Sequence, residues 1–178
     1  MKKIIERSVK MTIKENDHEF QNLISELMDS KEFRKLEECR HHGISRMLHS
    51  KRVAYFSYKI AKKLKLDYKS VARGGLLHDY FIDINATSKE KHRNIFIHPK
   101  TALDNSTKLF KLNDTEKDII LSHMFPLMPV YVPKYLESWL VSMVDKVVAT
   151  YEFGMTFFCH YKYVNQIAVL LLIVGRRL

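Results

Sequence analysis

Six residues of this chain have the chemistry and the surroundings to hold metal ions. His49 stands in Leu48-His49-Ser50-Lys51-Arg52-Val53, the adjacent pair His78-Asp79 closes Gly74-Gly75-Leu76-Leu77-His78-Asp79, and Asp145 lies in Met143-Val144-Asp145-Lys146. Between the pair and the last aspartate come His98, before Pro99, and His123, before Met124-Phe125-Pro126. A carboxylate on the apolar face of a helix is costly unless it is paired or coordinates a metal. Any one of these histidines reads most simply as a hydrogen-bonded core residue. Four of them with two aspartates read as a ligand set.

Imidazole and carboxylate without thiolate suit Fe, Mn, Co, Zn or Mg; iron or manganese is the favoured expectation, with Mg, Co, Zn and Ni possible. The expected cofactor is therefore one or two divalent metal ions. Such ions lower the pKa of bound water toward ~7 and polarise a phosphoryl oxygen, and in pairs ~3.5–4 Å apart they clamp the attacking and leaving oxygens.

Helices must position these side chains. Phe20, Leu23, Ile24 and Leu27 recur at helical spacing, which predicts short helices over Glu19 to Met28 and Glu32 to Cys39. Val53, Phe56, Ile60 and Leu64 form one stripe, and four residues back from Val53 is His49, which therefore faces the core. Asp67 is placed to cap the next helix, whose paired Gly74 and Gly75 permit close approach of a neighbour. His78-Asp79 falls at its end. Residues 83 to 97 read as a long polar loop, with His98 extended just outside a helix that Pro99 begins. Asn113 or Asp114 caps a further helix that turns His123 inward with Ile119 and Ile120. Phe125 to Pro133, with three prolines, is a loop. Leu140, Val141, Val144 and Val148 stripe the following helix with Asp145 on its inner side, and Tyr161 to Leu172 is expected as a separate last helix.

The fold class is all-α. At 178 residues, with 5 Gly and 4 Pro, the chain suits one globular unit better than a many-turned sandwich or barrel. Residues 1–44 read as a lead-in with short helices, 45–153 as the central domain and 154–178 as a C-terminal helix. Cys39 and Cys159 stand far apart in no metal-like spacing, so a reducing cytoplasm is the simplest setting. The longest apolar run, Ile167 to Val174, is far short of the ~20 residues a spanning helix needs, and no membrane association is expected. That run instead suits a buried helix or a homodimer contact. The net charge of +10 favours an anionic partner, but the basic residues are scattered, which supports a nucleic-acid footprint only weakly.

The order of these motifs resembles the HD-domain superfamily of metal-dependent phosphohydrolases over about Ser45 to Glu152: a His-Ser-x-Arg-Val context, Gly-Gly-Leu-Leu-His-Asp, and a late Val-Asp-Lys. The resemblance implies a compact bundle of at least five helices, with His49, His78, Asp79 and Asp145 as core metal ligands. His98 and His123 match the intervening histidines of the binuclear branch, in which Asp79 would bridge two ions. The flanking His41-His42-Gly43 and His123-Met124-Phe125-Pro126-Leu127 look like a bacterial subgroup of these proteins. The Gly-Tyr-Pro signature of the cyclic-dinucleotide branch does not follow His123.

The implied activity is hydrolysis of a phosphate ester, of a nucleotide or similar small molecule, by metal-activated water. Asp79, His78 and Lys146 are the catalytic candidates. Arg52, Lys100, Lys146 and His42 are the candidate substrate contacts, each with a plain alternative as a surface cation or a helix-end histidine. Two other readings use the same site: a regulatory module that binds a phosphorylated ligand without turnover, and a di-iron oxygenase.

Overall fold

The computed structural model describes residues 13–41, 44–82 and 88–175. Among them the chain forms seven α-helices, one 3-10 turn and a single short antiparallel pairing, as the all-α expectation requires. Helix α1 (His18–Asp29) starts at Asp17, whose carboxylate accepts from the Phe20 amide. It is followed by α2 (Lys31–Arg34) and the 3-10 turn Lys35–Glu37. Strands β1 (Arg40–His41) and β2 (Ile44–Ser45) then pair and deliver the chain into α3 (Arg46–Leu64), capped by Ser45. Helices α4 (Tyr68–Leu77), α5 (Ser88–Leu109), α6 (Asp114–Ser122) and α7 (Leu136–Gly175) complete the bundle.

Two caps anticipated from sequence are made. Asp67 accepts from the Lys69 and Ser70 amides at the start of α4. Asn113 and Glu116 exchange side-chain and backbone hydrogen bonds in a capping box at the start of α6, which satisfies two amides that the helix itself cannot.

Helix α4 is the centre of the packing. A Cβ on Gly75 would lie 3.1 Å from the Ala54 Cα of α3, and one on Gly74 would lie 3.0 Å from the Ile119 side chain of α6. Only glycine lets α4 rest this closely on both neighbours, so the pair sets how near His78 comes to residues from α3 and α6. One apolar cluster gathers α1, α3 and α4 around Phe20, Ile24, Tyr55, Tyr58 and Leu76. A second gathers Val53, Val71, Ile119, Val141, Val144 and Val148, joining α3, α4, α6 and α7. The site lies on these four helices and on α5.

Three expectations are corrected. The stretch read as a loop over 83–97 is helical from Ser88 onward, so His98 and Pro99 both lie inside α5. Proline within a helix removes one hydrogen bond and clashes with the preceding turn, a cost of about 3 kcal/mol. Here His98, Pro99 and Ala102 are all buried, and that burial outweighs the local preference. Second, Ile60 and Leu64 share the His49 face by period but are exposed. The later turns of α3 bury Tyr58 and Ala61 instead. Third, no break separates a last helix: α7 runs without interruption across the 153/154 boundary to Gly175. No described helix is long and apolar enough to cross a membrane.

Candidate metal centre

Five helices bring the six candidate ligands together. His49 comes from the first turn of α3, and His78 and Asp79 from the end of α4, where His78 is the C-cap. His98 comes from mid-α5, His123 from the C-cap of α6, and Asp145 from α7. All six are buried. Helix ends suit this task because the last carbonyls lack intrahelical partners. His78 Nδ1 donates to the Gly75 carbonyl at 2.7 Å, and His123 Nδ1 donates to the Ile120 carbonyl at 2.7 Å. Each bond selects one tautomer and leaves an Nε2 lone pair aimed into the site.

The donor atoms form two groups that share Asp79. His49, His78 and Asp79 form one, and Asp79, His98 and His123 the other, with the donors of each within 4.8 Å of one another. His98 Nε2 is 2.9 Å from His123 Nε2 and 3.4 Å from Asp79 Oδ1, and His123 Nε2 is 4.0 Å from that oxygen. Two donors ~2.1 Å from a common ion lie ~3.0 Å apart when adjacent and ~4.2 Å apart when opposite. The 3.4 and 4.0 Å separations fall within that range and the 2.9 Å one lies at its lower edge. On the other side Asp145 Oδ1 is 3.0 Å from His49 Nε2 and 3.6 Å from His78 Nε2. Donor chemistry and spacing both fit divalent ions, with the Asp79 carboxylate between two positions.

Protonation follows from the same geometry. Burial alone would push the His49 imidazole down, but its hydrogen bonds to Asp145 and Glu152 prevail and hold it up to about 10. Burial would raise the Asp145 carboxyl, yet His49 and His78 hold it well below the usual carboxylate range. His123 stays well below the usual imidazole value, through burial first and then its neighbours His78 and His98. His123 is thus ready to accept a cation, whereas a metal at His49 must displace a proton.

Two further residues shape the site, and neither was singled out from the sequence. Glu152 is buried on α7. Its Oε2 accepts from His49 Nδ1 at 2.7 Å and its Oε1 from Arg52 at 2.8 Å. Its signal was its position seven residues beyond Asp145, two helical turns on the same face. Arg46, one turn before His49, is also buried: its Nε lies 3.3 Å from Asp79 Oδ2, and it donates to the Phe81 carbonyl at 2.7 Å. Its guanidinium stacks 3.7 Å above the Phe81 ring.

The proposed substrate contacts fare differently. Arg52 is not a surface cation: it is buried and donates to Glu152 Oε1 at 2.8 Å. Lys146 stands at the rim, with its side chain 27% exposed and 3.1 Å from Asp145 Oδ2, and it also donates to the His123 carbonyl. Lys100 is exposed on α5. His42 lies outside the described residues.

Across the rim, Asp118 Oδ2 accepts from the Lys134 amide at 2.9 Å and from Ser138 at 2.7 Å. Ser142 donates to the His123 carbonyl at 2.9 Å and to the Phe125 carbonyl at 2.5 Å. These bonds tie the loop after His123 to α6 and α7.

A family model for the HD domain matches residues 46–150, more than half the chain and all six candidate ligands. The chain belongs to the HD-domain family. This is a superfamily of metal-dependent phosphohydrolases, and divalent metal binding is its general property. The matched segment begins at Arg46 and ends two residues before Glu152. The expected helical HD bundle is the one observed, and α7 continues well beyond the match. No curated protein and no solved structure matches the chain.

Proposed function

We propose that this HD-domain protein hydrolyses a phosphate ester, of a nucleotide or similar small molecule, with two divalent ions bound side by side. The observation that carries this reading is the buried Asp79 carboxylate shared by the His49–His78 and His98–His123 groups. Iron or manganese is the favoured metal, and nitrogen and oxygen donors also admit Co, Zn, Ni and Mg. Divalent ions in such a site supply an activated water and polarise the phosphoryl oxygen.

The chain's own residues do the rest. His78 and His123 present preset tautomers through their carbonyl bonds. Arg46 stands against Asp79 and limits how far its carboxylate can turn. Lys146 is the cation at the rim, placed to meet the charge of an incoming phosphate. Arg52 and Glu152 keep His49 in place behind the ligands.

The test combines elemental analysis of protein purified without added metal or chelator with hydrolysis of bis-p-nitrophenyl phosphate and a nucleotide panel under Mn2+ and Fe2+. About two metals per chain and hydrolysis of at least one substrate, both lost in Asp79→Ala, are expected. Metal binding with no turnover of any substrate would leave a ligand-binding module and overturn the enzymatic reading. One metal per chain, unchanged in His98→Ala and His123→Ala, would overturn the binuclear reading.

A further inference from the structure

Helix α7 has two faces with opposite burdens. Asp145, Val141, Val148 and Glu152 point into the domain. The other face carries Leu136, Trp139, Met143 and Val147 at spacings of three and four residues and, from ten residues further on, Phe157 and Phe158, each between 40% and 69% exposed. These positions fall on one side of a 3.6-residue helix. Taking roughly 100–150 Å² of open surface per side chain, the stripe offers about 750 Å² of apolar area, beyond the ~300–600 Å² of the largest patch on a typical monomer. It approaches the ~800 Å² that each partner contributes to a standard-size protein interface.

We infer that this stripe is the contact of a homodimer, in which α7 of one chain lies against α7 of a second copy. A symmetric pair requires one patch complementary to itself, and an uncharged apolar stripe along one helix meets that condition. The helix is ~60 Å long at 1.5 Å per residue and continues 25 residues beyond the matched HD domain. A helix with an apolar outer face gains little from its own propensity and much from packing. An anionic lipid surface is the less favoured occupant. A helix that lies on a membrane carries a face rich in Lys and Arg, whereas α7 has only Lys146 and Lys162 in its 40 residues, and its inner face holds the acidic site residues. Pairing through α7 would also brace the helix that supplies Asp145 and Glu152.

The experiment is sedimentation equilibrium of the full chain at tens of micromolar, with the wild type beside Met143→Glu/Phe157→Glu. The expected result is twice the 21.1 kDa chain mass for the wild type. The variant should sediment at the single-chain mass, with circular dichroism and bound metal unchanged. A wild type that stays monomeric, or a variant that remains dimeric, would overturn the proposal. So would monomeric wild type that co-sediments with phosphatidylserine vesicles, which would hand the stripe to a lipid surface. Bound metal reports the site separately, so failure of the dimer and failure of the proposed function are distinguishable.

Discussion

Glu152→Gln tests whether the residues behind the ligands hold the site together. The carboxylate accepts from two donors, His49 Nδ1 and Arg52, at 2.7 and 2.8 Å. Glutamine keeps the shape but turns one oxygen into a donor, so one of these bonds must be lost. Losing an outer partner of a ligating histidine lowers metal affinity by about 10–100-fold. Separately, Arg52 is buried, and stranding a buried charge costs about 3–5 kcal/mol.

The two effects separate in the double variant Arg52→Met/Glu152→Leu, which has neither a stranded guanidinium nor a side-chain oxygen at position 152 for His49. Removing the stranded guanidinium should restore most of the stability, while affinity stays low because His49 still lacks its acceptor. The assays are equilibrium urea unfolding of the metal-free protein and competitive Mn2+ titration. Wild-type affinity in the double variant would refute the claim that Glu152 orients His49. Unchanged unfolding in Glu152→Gln would show that the Arg52 pair is not what keeps this carboxylate buried.

Four further outcomes are expected. His49 is raised from 6.5 to about 10 in the metal-free protein, so metal binding between those values must release a proton and strengthen with rising pH; calorimetry at pH 8 in two buffers of different ionisation enthalpy would count it, and no buffer dependence would refute the assignment. For folding of the metal-free chain, the raised His49 contributes stability fully below 6.5 and loses it as pH climbs toward about 10, while Asp145, depressed below its usual 3.8, contributes above that value and loses it in acid; urea midpoints attributable to the pair should thus be best between about pH 4 and 6.5. Asp118→Ala leaves the Lys134 amide and the Ser138 hydroxyl without their acceptor, so about 1–3 kcal/mol of stability should go, with faster proteolysis within 124–135; cleavage at the wild-type rate would show that the loop is held otherwise. Lys65 closes α3 in the left-handed region at φ 57°, so Lys65→Gly should raise stability by about 0.5–1 kcal/mol, and a lowered melting temperature would contradict this.

Helix faces, caps and the identity of the candidate ligands could be read from the sequence because they are local properties. A 3.6-residue period turns His49, His123 and Asp145 inward whatever packs against them, and Asp67 and Asn113 can cap only the helices they precede. Glycine at 74 and 75 announced close packing because no other residue leaves such room. Period says which residues share a face, but not which neighbour covers it. That is why Ile60 and Leu64 are exposed, and why the outer stripe of α7 was not evident. Local propensity misjudged His98 and Pro99, because burial within α5 outweighed the usual effect of proline. The tertiary structure alone decided the roles of Arg52 and Glu152: they meet 100 residues apart in sequence, and His49 and Glu152 103 apart. No spacing rule reaches across such a separation; only the packing of α7 against α3 brings a buried cation, a carboxylate and a ligand histidine into one line.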